Sequence, residues 1–157
     1  GEMSFAEDTA SEVEIEAITV GLTAGSWQYA DLKTLPPEDE RRRPLESITL
    51  LAEDSDGAKR ALAAGRAIGA GHSLARTLAM MPGNLCTPDF LAATARDVAS
   101  RHGMTTTVLG RAEMEAEGMG AFLCVAQGTP QDPKLIAIEY SGGAKGEKPV
   151  TLVGKGL

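Results

Sequence analysis

The chain has 157 residues, 43% hydrophobic and 24% charged, enough for one ordinary domain with a core. No apolar run approaches the ~20 residues that a membrane helix needs. Residues 1–57 hold 14 acids and 4 bases (net −10) and residues 58–157 hold 8 acids and 11 bases (net +3), for a total of −7, a balance that argues against nucleic acid or an anionic membrane as partner.

The step in charge near residue 57 suggests that two structural units meet there. The opening "GEMSFAEDTASEVEIE" is acidic where a secretory signal would be basic and then apolar, so a cytoplasmic location is expected. Residues 12–24 carry Ile15, Ile18 and Leu22 at helical spacing, which predicts a helix. "LKTLPPEDERRRPLE" follows, and Pro36, Pro37 and Pro44 should break regular structure in a surface connector. "SITLLAE" at 47–53 is a β-branched and leucine run, predicting a strand.

"DSDG" then offers Asp54, Ser55 or Asp56 as a helix N-cap. The alanine-rich segment 57–80, with Ala61, Ala64, Ile68, Ala75 and Leu78 near one face, predicts a long helix. Gly65, Gly69 and Gly71 each weaken it by about 1 kcal/mol relative to alanine, unless a neighbour packs closely there.

"TPDFLAATARDVASRHG" has full helix punctuation: Thr87 to cap, Pro88 in the first turn, Asp89 at the positive end and Gly103 as the stop. Its buried stripe should be Leu91, Ala95, Val98 and Ala99. A strand is expected at 104–109 and a short helix at 111–117, ended by Gly118. Three further strands are expected, "AFLCVA" at 121–126, "KLIAIEY" at 134–140 and "VTLVGK" at 150–155, the last one buried. Strands alternating with helices indicate an α/β fold, a layered sheet flanked by helices.

Few residues offer chemistry. His72 and Ser73 are neighbours on a predicted helix and cannot face each other. His102 sits at a helix end, and no G-x-S-x-G occurs, so a nucleophilic triad finds no support. "GAGHSL" at 69–74 lacks the third glycine and the preceding strand of a dinucleotide loop, and its glycines read as close packing. Cys86 and Cys124 form no C-x-x-C and are expected as buried apolar residues. Two histidines and two cysteines are too few for a zinc cluster, so a metal would need carboxylates or an unusual ligand.

Lys155, held between Gly154 and Gly156, is the remaining candidate. Either it snorkels to solvent at a sheet edge, or the strand aims its amine into a crevice at the carboxyl end of the sheet. An amine can ligate a metal only when neutral, which burial and a nearby dication can bring about.

Four segments carry a resemblance in order and spacing: "LARTLAMMPGNLCTPDFLA" (74–92), "EMEAEGMGAFLCVAQGT" (113–129), "PKLIAIEY" (133–140) and "VTLVGKGL" (150–157). Together they resemble the leucyl aminopeptidase family of dinuclear metallopeptidases, with residues 58–157 matching well. Residues 12–33, ending "GSWQYADLK", are more weakly similar to the close of that family's N-terminal domain. Met80 departs from the pattern, standing where the family usually has asparagine.

The resemblance implies a mixed β-sheet flanked by helices, the first part of the catalytic domain. Residues 1–56 would be the C-terminal part of a smaller α/β N-terminal domain plus a linker. Residues 57–157 would be the interdomain helix and the incomplete peptidase domain. It implies two divalent metals, zinc or manganese, sharing a bridging water that attacks an N-terminal peptide bond, with Lys155 as one metal ligand. The other ligands and the catalytic lysine and arginine would follow Leu157, so no catalytic residue is expected within this chain. The expected function is release of N-terminal, leucine-type residues from peptides by the intact protein, the chain alone being inactive. A homohexamer and pairing with the complementary C-terminal part are the expected associations. The alternative is a non-catalytic assembly or binding module of the same fold; an anion-binding α/β domain using the Gly-Lys-Gly turn is a third reading.

Overall fold

The computed structural model describes residues 2–6, 10–32, 34, 36–41 and 46–156. The element order is β1 (Glu2–Ala6), α1 (Glu12–Ser26), β2 (Ser47–Leu51), α2 (Asp56–Met80), α3 (Pro88–Arg101), β3 (Thr105–Leu109), α4 (Arg111–Ala116), α5 (Gly120–Leu123) and β4 (Leu135–Glu139). By packing, the chain divides into two compact units, residues 1–80 and 81–157. The sequence division at 56/57 follows the change in charge; packing places α2 with α1, in the first unit.

In the first unit α1 starts at a capping box. The Glu14 amide donates to Ser11 Oγ at 3.3 Å, and the Ser11 amide donates back to Glu14 Oε2 at 2.8 Å. Of the three candidate caps for α2, Ser55 does the work, its Oγ accepting from the Ala58 amide at 3.1 Å. α1 then lies against α2 along one row of residues four apart, Gly57, Ala61, Gly65 and Gly69, all buried. A Cβ at position 65 would stand 2.7 Å from Thr19 Cβ and 2.8 Å from Glu16 O; at position 69 it would stand 2.6 Å from Thr23 Cβ. The glycines exist here so that the two backbones can approach. Gly71 is different: a Cβ there would meet open space.

The C-terminal ends of these helices are tied by Arg76. Its guanidinium lies 3.9 Å from the Trp27 ring centroid, and its Nη1 donates to Ala24 O at 2.9 Å. α1 has no base in its own last turn, so α2 supplies the cation that satisfies a terminal carbonyl. Trp27 Nε1 donates to Thr77 Oγ1 at 3.0 Å, closing the corner. β1 and β2 pair in parallel, with Glu2 opposite Ser47 and Ala6 opposite Leu51. The connector between α1 and β2 contains one 3₁₀ turn, Glu38–Glu40, after Pro37. Pro44, one of the expected breakers, lies outside the described residues.

In the second unit, α3 begins as expected: Thr87 Oγ1 accepts from the Phe90 amide at 3.2 Å, and Pro88 opens the first turn. It ends before Gly103, whose φ of 64° is the left-handed stop conformation. Its buried stripe is Ala92, Ala95 and Ala99, with Leu91 and Val98 half-buried beside it. Small residues let α3 lie close on β3 and β4, which pair antiparallel with Thr105 opposite Glu139 and Leu109 opposite Leu135. Among the described residues Met114 of α4 is the largest fully buried side chain.

Three expectations are corrected. Residues 121–126 are not a strand but α5 followed by a 3₁₀ turn, Cys124–Ala126. The run has one β-branched residue, Val125, and its amides bond locally, Phe122 and Leu123 both to Met119 O at 3.1 Å. Because this segment is a surface turn, the Cys124 thiol is exposed rather than buried, and Cys86 is half-buried. Residues 150–155 form neither a strand nor a buried run: Val150, Leu152 and Val153 are each at least 90% exposed. A strand exists only through its neighbour's hydrogen bonds, and none of the described strands pairs with this segment.

The class is α/β at the level of helices combined with strands. Among the described residues the parallel and antiparallel pairs form two separate two-stranded sheets, not one mixed sheet.

Candidate functional site

Lys155 lies in the exposed, irregular segment 150–156. A Cβ at Gly154 would meet nothing within 4 Å, and one at Gly156 would meet only Leu91 Cδ1 at 3.8 Å. Neither glycine has a left-handed backbone. Neither crowding nor backbone geometry therefore demands glycine on either side of this lysine.

A dication needs several deprotonated ligands in one place. Among the described residues no group of three or more His, Cys, Asp or Glu side chains could hold one. Lys155 by itself does not fit a two-metal centre, since one amine cannot hold a dication against water.

The other sequence candidates take structural places. Ser73 Oγ donates to Gly69 O at 2.9 Å, one turn back on α2, and His72 is exposed beside it. His102 caps the C-terminus of α3.

A charged cluster that the sequence reading did not single out lies where α3, α4 and β4 begin. Lys134 Nζ sits 3.0 Å from Asp132 Oδ2 and 3.3 Å from Asp89 Oδ1. Its side chain is only 17% exposed, against 44% for Asp132 and 76% for Asp89. The hydrogen bond from Lys134 holds the Asp132 carboxyl below the usual carboxylate range, helped by the Arg111 backbone amide and guanidinium. The same bond, then the one to Asp89, raises the Lys134 amine. Glu113 Oε2 accepts from the Gly110 amide at 3.0 Å, capping α4. The signal for this cluster was present in "DPK": in an extended chain Asp132 and Lys134 point to the same side across Pro133.

Comparison with known proteins places the chain. Residues 73–157 match the model of the cytosol aminopeptidase family, catalytic domain. The chain belongs to the cytosol aminopeptidase family. It is 41% identical over 147 residues to a probable cytosol aminopeptidase of Alkalilimnicola ehrlichii, covering 91% of this chain and 29% of that protein. Against the probable cytosol aminopeptidase of Nitrosospira multiformis it is 43% identical over 146 residues, 89% of this chain and 28% of that protein. A third relative, from Syntrophotalea carbinolica, is 41% identical over 146 residues. The chain thus spans under a third of the length of these curated cytosol aminopeptidases. The family match includes Gly154, Lys155 and Gly156.

Proposed function

We propose that this chain is a portion of a metal-dependent aminopeptidase that releases N-terminal residues, with a leucine-type preference, from peptides. The observation that carries this reading is the match of residues 73–157 to the family's catalytic domain. Lys155 is proposed as one donor to a pair of divalent ions, zinc or manganese. Among the described residues no group of three or more His, Cys, Asp or Glu side chains could complete such a centre, so no step is assigned to these residues alone.

The same reading makes residues 57–157 the interdomain helix and the first part of the catalytic domain. The β3–β4 pair would then be the start of a larger mixed sheet, and residues 1–56 the close of an N-terminal domain. A cytoplasmic homohexamer acting on peptide substrates is the associated proposal. The described helices include none long and apolar enough to cross a membrane.

A hybrid protein tests this. The residues of the Alkalilimnicola ehrlichii relative that align with this chain are replaced by the chain itself, and hydrolysis of leucine p-nitroanilide is measured with added manganese. The proposal expects turnover that a chelator abolishes. A folded hybrid without turnover, beside an active parent, contradicts it and favours a non-catalytic module.

A further inference from the structure

The charged cluster at the start of α3, α4 and β4 borders an open cleft of about 350 Å³. Asp89, Ala92 and Arg96 of α3 line it, together with Arg111 and Asp132. Three acids and three bases meet there, so formal charge alone selects no ligand. The pairing does.

Each carboxylate is already engaged. Lys134 bridges Asp89 and Asp132, and Glu113 is bound to the Gly110 amide. Lys134 is therefore spent on two acids and is the most enclosed charge of the six-group cluster's ion pairs. The guanidinium groups are less committed: Arg111 is ion-paired to Asp132 but donates no side-chain hydrogen bond among the described residues. Arg111 approaches Asp132 only through Nε, at 3.6 Å, beyond hydrogen-bond distance. Arg96 makes no ion pair among the described residues. What remains for a ligand is a surplus of planar, forked donors over a small apolar wall of Ala92, Val108 and Ala112. Guanidinium forks match the paired oxygens of a carboxylate or phosphate.

We propose that this cleft binds a small oxyanion, a carboxylate or phosphate group, between Arg96 and Arg111. The site uses residues remote in sequence from Lys155 and does not depend on the peptidase reading. Its acids serve to fix the cleft wall, because the Asp132–Lys134–Asp89 bridge ties the start of β4 to the first turn of α3.

The test is an NMR titration of the full 157-residue chain with inorganic phosphate and, separately, with acetate, at constant ionic strength set by chloride. Expected are saturable shifts of the Arg111 and Ala112 amides and of the Arg96 and Arg111 Nε–H signals. Arg96→Gln and Arg111→Gln should each weaken binding at least about tenfold, as loss of charge-assisted hydrogen bonds implies. Arg66→Gln, on exposed α2 surface, should leave it unchanged. Tighter binding of phosphate would assign a phosphate-bearing ligand, and tighter binding of acetate a carboxylate; either supports the site. Shifts that rise linearly without saturating, or that persist in the Arg96→Gln/Arg111→Gln double variant with its fold retained by circular dichroism, overturn it.

Discussion

Gly65 and Thr19 meet with no space between them: a Cβ on residue 65 would stand 2.7 Å from the Cβ of Thr19. Neither that atom nor the Glu16 carbonyl oxygen at 2.8 Å is the free end of a flexible chain. Gly65→Ala should therefore destabilise the first unit, since overpacking costs about 1–3 kcal/mol while helix propensity returns only about 1. Gly71→Ala, with open space around it, should stabilise by about 0.5–1 kcal/mol. Urea unfolding followed by Trp27, the single tryptophan, reads both. Equal effects of the two substitutions would remove the close-packing explanation.

Arg76 should matter for more than its charge. Arg76→Lys keeps a cation but loses the planar group stacked on Trp27 and the directed bond to Ala24 O. Loss of about 1–2 kcal/mol and a shifted Trp27 emission are expected for Arg76→Ala. Arg76→Lys should recover less than half of that loss. Full recovery by lysine would show that only the charge is used.

The Lys134 bridge gives the second unit a pH window. Asp132 has a folded pKa below its unfolded one, so its contribution is present above the ordinary value of about 3.9. That contribution is lost as pH falls through the lower folded value. Lys134 is raised, so its contribution is complete below about 10.4 and lost as pH rises through its higher folded value. The contribution of this pair should be flat between these limits and fall on both sides. Lys134→Met should flatten the acid limb, measured by urea unfolding at a series of pH values. An unchanged acid limb in Lys134→Met would assign acid sensitivity to other carboxylates.

Local signals were legible and long-range ones were not. Thr87, Pro88 and Gly103 punctuate α3 by chemistry confined to a few residues, and the helix starts and stops where they stand. The run 121–126 misled because a short apolar stretch does not distinguish strand from helix by periodicity, and here Met119 O captures the amides. Residues 150–155 have strand composition, yet β structure needs a neighbour that no composition supplies. The Lys134 bridge joins residues 45 positions apart in sequence, 89 and 134, so half of it was invisible until the fold brought Asp89 alongside. Lys155 was legible as a candidate from its glycines and from the family pattern, while its surroundings were not.

On its own the 157-residue chain should not hydrolyse leucine p-nitroanilide with manganese or zinc added. Its described residues hold no group of three His, Cys, Asp or Glu ligands, and an isolated amine does not retain a dication. Turnover by the purified chain, sensitive to chelator and absent from a mock preparation, would mean that these residues hold a metal by themselves.

Position 155 is where the account can be tested most directly. In the hybrid built on the Alkalilimnicola ehrlichii relative, Lys155→Ala is compared with the unsubstituted hybrid for bound metal per chain and for kcat on leucine p-nitroanilide. Loss of a metal donor predicts less bound metal and a fall in kcat of at least about 100-fold, the upper end of what losing even an outer-shell partner costs. An alanine hybrid that keeps its full metal content and its full turnover would contradict the assignment of Lys155 as a ligand.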